Sequence, residues 1–181
     1  MTIWSSLKRP ILKQKNSSRG TPVDPLRAQF DIFLTLITVT TIVFADRFSK
    51  IYFSKALALR ESWPVIRNIF HLTLVHNTGI AFGLFKNQGI VFIIIPIIAI
   101  ILLIFNIYYY RNNKDDLSRT YIVAFSLILG GAIGNLIDRI YFGYVIDFID
   151  FRIWPVFNVA DSAITIGAMI ILFKCIPSSA K

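Results

Sequence analysis

The sequence predicts an all-α membrane protein with four transmembrane helices and a small extramembrane β or amphipathic lobe between the first two. Three observations indicate this class: 55% of the 181 residues are hydrophobic, only 16% are charged, and the apolar residues form long runs. A soluble domain is typically about 45–50% apolar and about 25% charged. The length suits one compact unit rather than two domains.

The two central apolar runs contain no charged residue. A helix that crosses a bilayer needs roughly 20 predominantly apolar residues. Asn87 to Tyr110 has this length, and its terminal tyrosines are typical of a membrane interface. Thr120 to Ile137 is shorter. Its Gly130, Gly131 and Gly134 predict close contact with a neighbouring helix, because small residues let helix backbones approach.

The first and last apolar runs each have an aspartate near one end. Asp31 to Ala45 meets Asp46 and continues through a more polar segment, and Val159 to Lys174 carries Asp161 near its start. Both are predicted to cross the membrane with the aspartate at a functional end. The membrane domain is thus predicted at 31–175, with a lobe at about 60–86 that contains either strands or an interfacial helix.

The positions of the basic residues predict the orientation. Lysines and arginines are frequent in residues 1–30 and in the loop at 111–119, and cytoplasmic loops carry the excess of these residues. We therefore expect residues 1–30 to be a disordered cytoplasmic arm, 176–181 to be a cytoplasmic tail, and the aspartates to lie at the outer face. The net charge of +9 is explained by the orientation of the chain in the membrane and by attraction of its basic residues to anionic lipid. No nucleic-acid partner is therefore predicted.

Several charged residues have a structural interpretation. An ionised carboxylate among apolar residues is costly unless it is paired. Asp46 and Lys50 are spaced i, i+4 and are predicted to form an ion pair at the interface. Asp138 is expected to have a structural or loop-positioning role and to compensate the charge of Arg139, which could itself contact a substrate.

The sequence predicts no metal or cofactor site. His71 and His76 have no further Cys, His or carboxylate at a useful spacing. Cys175 is the single cysteine and has no histidine near it, so a catalytic thiol is not predicted. Asp150 and Arg152 are expected to pair with each other or with solvent.

Asp147 and Asp161 are harder to explain structurally. Each is surrounded by apolar residues and has no basic neighbour in sequence. Two carboxylates brought together share a proton, so one can act as general base and the other as general acid. This is aspartic-protease chemistry. A small proton- or ion-coupled carrier would also place carboxylates in a membrane, although four helices leave little room for alternating access.

Four motifs occur in this order: "DRFSK" (46–50), "NTGIAFG" (77–83), "GNLIDRIYFGYVIDF" (134–148) and "FNVADSAITIG" (157–167). Together they resemble the signal peptidase II family, the prolipoprotein signal peptidases. The resemblance covers residues 31–175, and Ile80 stands where the family more often has alanine. A different intramembrane aspartyl protease is the alternative with the same chemistry, and the absence of a GxGD motif argues against the presenilin-like type.

The resemblance implies cleavage before a diacylglyceryl-modified cysteine in bacterial prolipoproteins, with Asp147 and Asp161 as the catalytic dyad and no cofactor. It implies a monomer in the bacterial cytoplasmic membrane, in contact with lipid, with its active site at the outer face. The segment 77–85 would clamp the substrate. The resemblance also implies substrate binding by Asn77, Asn135, Arg139 and Asn158, and supporting roles for Asp46, Lys50, Gly79 and Asp138.

Overall fold

The computed structural model describes residues 24–79, 90–113 and 119–176. Predictions that concern residue Ile80 or other residues at 1–23, 80–89, 114–118 and 177–181 lie outside these ranges. The described residues are mostly helical, in agreement with the predicted class. Their elements are α1 (Pro25–Ala56), β1 (Ser62–Ile66), β2 (Phe70–Asn77), α2 (Val91–Asn113), α3 (Arg119–Phe142), β3 (Val145–Asp150) and α4 (Val159–Cys175).

Helix α1 is continuous over 32 residues. Asp24 caps its N-terminus by accepting a hydrogen bond from the Leu26 backbone N–H at 3.1 Å, and Pro25 occupies the first turn, where its missing N–H is not needed. Residues 25–30 are therefore helical, and the predicted boundary of the disordered arm was placed too late. At 1.5 Å per residue the helix is about 48 Å long, which exceeds the roughly 30 Å of a bilayer core.

Helix α3 is central and packs against α1, α2 and α4. A Cβ atom added to Gly131 would lie 2.3 Å from the Ala160 carbonyl oxygen, and one added to Gly134 would lie 2.7 Å from Asp46 Oδ2. The predicted close helix contacts are thus confirmed. These glycines bring α1 and α4 against the same end of α3, which continues to Phe142, beyond the predicted end.

The helices expose large apolar side chains to their surroundings. Among the described residues, α1 and α3 are long and apolar enough to cross a membrane, and 93–105 of α2 is a shorter apolar helical segment. Phe33 on α1, Leu102 on α2 and Phe173 on α4 are each at least 60% exposed. Contiguous exposed apolar surface of this kind marks contact with a membrane or a partner.

A three-stranded antiparallel sheet with the order β1-β2-β3 adjoins the helices. Strands β1 and β2 form a hairpin within the segment predicted as the lobe, whereas β3 was not predicted. Leu57, Leu74 and Ile146 form a small core, and Phe53 packs against it. This core attaches the sheet to the C-terminal end of α1, so that β3 runs beside the helix ends.

Candidate active site

Asp147 lies on β3, with only 1% of its surface exposed. It faces Val75 across the β2–β3 ladder. Asn77, at the end of β2, donates a hydrogen bond from Nδ2 to Asp147 Oδ2 over 2.9 Å. Because backbone hydrogen bonds hold the two strands in register, the sheet fixes this carboxylate relative to Asn77. These two predicted site residues are in direct contact.

Asp161 lies in the first turn of α4, three residues after Asn158. Asn158 caps the helix: its Oδ1 accepts from the Asp161 backbone N–H at 2.9 Å, and Asp161 Oδ2 accepts from the Asn158 backbone N–H at 3.3 Å. This reciprocal capping box satisfies two backbone donors. It also places the carboxylate at the positive end of the helix dipole, which favours a negative charge. The side chain is partly exposed, so water can reach it.

Two asparagine amides connect these carboxylates. Asn158 donates from Nδ2 to Asp147 Oδ1 over 2.7 Å, and Asn135 donates from Nδ2 to Asp161 Oδ1 over 2.7 Å. Asn158 Nδ2 is also 3.0 Å from Asn135 Oδ1. Both amides are buried. Asn135 and Asn158 therefore contact the carboxylates directly, and substrate binding by these two residues stays a prediction.

The surroundings of Asp147 favour its protonated form. Burial raises the pKa of Asp147 to about 7, and the nearby charge of Asp161 also raises it, while hydrogen bonds from Asn77 and Asn158 and the charge of Lys50 act in the opposite direction. Neutral amide donors stabilise a carboxylate less than a paired cation does. A carboxyl group that titrates near neutral pH can serve as a general acid or base under physiological conditions.

Arg139, on α3, lies beside this pair. Its Nη1 is 3.5 Å from the Asn135 carbonyl oxygen, and the charges of Asp161 and Asp147 act on it electrostatically, followed by that of Asp138. The side chain is only partly buried. Arg139 is thus a partly exposed cation on which both carboxylates act electrostatically.

A buried ion cluster lies behind the carboxylates. Lys50 Nζ is 2.8 Å from Asp46 Oδ2 and 2.9 Å from Asp138 Oδ2, and all three side chains are fully buried. The predicted Asp46–Lys50 ion pair is confirmed, and it is buried inside the protein. The charge of Asp138 acts on Arg139, as expected, but its ion-pair partners are Lys50 and Arg47. It also accepts a hydrogen bond from the Ile146 backbone N–H over 3.1 Å, which agrees with the predicted loop-positioning role. Arg47 was missed as part of the cluster, although it belongs to the "DRFSK" motif.

The segment after β2 begins with a tight turn. Gly79 has a φ of +78°, a conformation that glycine adopts without strain. Its backbone N–H donates to Asn77 Oδ1 over 2.9 Å. This contact occupies the amide oxygen of Asn77 and leaves its Nδ2 facing Asp147. Gly79 therefore supports the site through Asn77.

The other polar residues considered above lie apart from the carboxylate pair. Asp150 accepts a hydrogen bond from Arg152 Nη1 at 3.1 Å, as predicted. His71 Nδ1 is 3.1 Å from Ser62 Oγ, and Cys175 is an exposed free thiol. Among residues 24–79, 90–113 and 119–176, no group of three His, Cys, Asp or Glu side chains could hold a metal ion.

Comparison with known proteins relates this geometry to one family. The family model described as signal peptidase (SPase) II matches residues 38–177. The lipoprotein signal peptidase of Halothermothrix orenii is 42% identical over 139 residues, covering 77% of this chain and 92% of the relative. That of Caldanaerobacter subterraneus subsp. tengcongensis is 45% identical over 139 residues, covering 76% and 92%.

Solved structures agree with the sequence relatives. A bacterial membrane enzyme determined by the in meso method is 33% identical, covers 80% of this chain and 94% of its own, and superposes with a TM-score of 0.71. A second such structure has a TM-score of 0.67 at 33% identity and covers 81% and 92%. The matched segment contains both carboxylates, both amides and the ion cluster. The chain belongs to the signal peptidase II family.

Proposed function

We propose that this protein is an intramembrane aspartyl endopeptidase that removes the signal peptide from diacylglyceryl-modified bacterial prolipoproteins, cleaving before the lipidated cysteine. The observation that carries the proposal is the pair Asp147 and Asp161, presented by two different elements and joined through Asn158 and Asn135. The relatives named lipoprotein signal peptidase support the substrate class. They give no support to the carrier alternative.

The two carboxylates have different roles in this proposal. Asp147, with its pKa raised to about 7, holds the shared proton, and Asp161, at the helix N-terminus and partly exposed, is the anionic partner. Asp161 takes a proton from a water molecule as the water oxygen attacks the scissile carbonyl carbon, and Asp147 donates its proton to the carbonyl oxygen. In the second step Asp147 takes back a proton from the resulting diol, Asp161 protonates the amide nitrogen, and the C–N bond breaks.

The residues around the dyad divide into two groups by exposure. Asn135 and Asn158 are buried and orient the carboxylates, whereas Asn77 is exposed and Arg139 is partly exposed. We assign Asn77 and Arg139 to binding of the substrate backbone, the first beside Asp147 and the second between the two carboxylates.

The proposal includes the membrane arrangement. α1, α2, α3 and α4 cross the bilayer, with both termini in the cytoplasm and the sheet as a lobe at the outer face. In support, the helices expose apolar side chains, and the carboxylate pair lies where the sheet meets the helix ends. A lipid-modified substrate would have its cleavage site at this depth. The dyad and the three asparagines that contact it belong to one chain, so the site needs no second copy, and the enzyme is proposed to be a monomer.

The direct test is cleavage of a diacylglyceryl-modified prolipoprotein by the purified protein in detergent, followed on a gel. We expect the parent protein to release the signal peptide and Asp147→Asn and Asp161→Asn to lose at least about 1,000-fold in rate, because each removes an acid–base group. Asp150→Asn is the matched control on the same strand and should cleave at the parent rate. Near-normal cleavage by Asp147→Asn would contradict the dyad assignment.

A further inference from the structure

Lys50 is a fully buried cation with three oxygen atoms within 3.0 Å of its ammonium group. Its Nζ is 2.8 Å from Asp46 Oδ2 and 2.9 Å from Asp138 Oδ2, and it donates to Asn135 Oδ1 over 3.0 Å. An ammonium group has donors and no acceptor, so it suits a site lined only by oxygen atoms. A buried ion cluster of this kind contributes little stability compared with a well-packed apolar core. Its geometry points to another role.

The two carboxylates bound to Lys50 also hold the backbone on either side of the dyad. Asp46 Oδ1 accepts from the backbone N–H of Ala160 over 3.0 Å. Asp138 Oδ2 accepts from the backbone N–H of Ile146 over 3.1 Å. Ala160 directly precedes Asp161, and Ile146 directly precedes Asp147. One lysine therefore sets the distance between the two acceptors that anchor the two catalytic segments.

Lys50 also determines which way the Asn135 amide points. Because an ammonium group cannot accept a hydrogen bond, the oxygen of the amide must face Lys50. The NH2 group is then directed to Asp161 Oδ1, 2.7 Å away. With the opposite orientation, Asn135 would present its oxygen to the carboxylate, and the two acceptors would repel each other.

We propose that Lys50 is a positioning residue for the peptidase reaction: through Asp46 and Asp138 it sets the spacing of the two segments that carry the dyad, and through Asn135 it orients the donor to Asp161. This inference rests on the proposed function. Lys50 itself does not touch the reacting atoms.

The test compares Lys50→Gln with Lys55→Gln, a matched substitution of an exposed lysine on the same helix. For Lys50→Gln we expect kcat to fall about 100-fold in the folded protein with KM within about threefold of the parent value, because misplacement of reacting groups by about 1 Å has an effect of this size. Lys55→Gln should keep both constants. The charge-balanced variant Asp46→Asn/Lys50→Gln leaves no unpaired buried charge, and should fold while remaining slow.

The pH profile separates positioning from a purely structural role. The charged groups acting on Asp147 are Asp161 on α4, Lys50 on α1 and Arg139 on α3. The positive charge of Lys50 lowers the pKa of Asp147, so Lys50→Gln should move the alkaline limb of kcat to higher pH. Lys55→Gln should leave that limb in place.

Three results decide between the accounts. The inference would be overturned if folded Lys50→Gln or the double variant had the parent kcat and an unshifted pH profile. The proposed function would remain intact if Asp147→Asn were inactive in the same assay. Reduced kcat with a shifted profile would support it. A folded parent protein that does not cleave would overturn the proposed function and this inference together.

Discussion

Asp147 and Asp150 lie three residues apart on one strand, and their carboxyl groups have opposite properties. Asp147 has neutral amide partners, and burial raises its pKa to about 7. For Asp150, burial also acts to raise the pKa, but hydrogen bonds from Thr73 and Arg152 together with the charge of Arg152 lower it below the ordinary value. The difference lies in the balance of two effects: burial outweighs the amide partners of Asp147, whereas hydrogen bonds from Thr73 and Arg152 and the charge of Arg152 outweigh burial at Asp150.

Asn158 both caps α4 and donates to Asp147, and substitution can separate these two functions. Serine can replace asparagine as a helix cap, because its hydroxyl accepts from the same backbone N–H, but it lacks the amide donor that reaches Asp147 Oδ1. We expect Asn158→Ser to lose about 100-fold in kcat but to be more stable than Asn158→Ala, because only serine keeps the helix cap. Asn158→Ala should lose the activity and be less stable than Asn158→Ser by about 1 kcal/mol.

Kinetics and thermal unfolding of the two Asn158 variants in detergent provide the measurement. A fully active Asn158→Ser enzyme would show that the amide contact to Asp147 is dispensable. The orienting role assigned to Asn158 would then have to be given up.

The second prediction concerns Asp150 and has a smaller effect. Its pKa in the folded protein is lowered, so its contribution to stability is present above the unfolded pKa of about 3.9 and is lost as the pH falls through the folded value. At about pH 7 we expect Asp150→Asn to unfold more easily by about 1 kcal/mol, because hydrogen bonds from Thr73 and Arg152 are weakened.

Thermal unfolding of the parent and Asp150→Asn at about pH 7 and at about pH 3 measures this contribution. The difference between the two proteins should shrink toward the lower pH. A difference that grows as the pH falls would contradict the assigned ion pair.

The features that could be predicted from sequence depend on neighbouring residues. The α2 and α3 helices follow from long uncharged runs, and the Asp46–Lys50 pair follows from i, i+4 spacing on one helix. The capping box at Asn158 also had a local signal, because an asparagine three residues before an acidic residue is typical of a helix N-terminus.

The features that were missed depend on contacts between distant segments. Strand β3 exists because it pairs with β2, about 70 residues earlier in the chain, as the Asn77–Asp147 contact shows. Asp138 binds Arg47, 91 residues away, rather than its neighbour Arg139. Residue spacing carries no information about such pairings, so the partners of each aspartate could not be assigned before the fold was known.

The central claim is that Asp147 carries the shared proton near neutral pH. Infrared difference spectra between the parent protein and Asp147→Asn, recorded across a pH titration in detergent, isolate the C=O band of the protonated Asp147 carboxyl group. We expect this band to disappear with a midpoint at about pH 7, because the pKa of Asp147 is raised to about 7. A midpoint at about pH 4, the ordinary value of an aspartate, would contradict it.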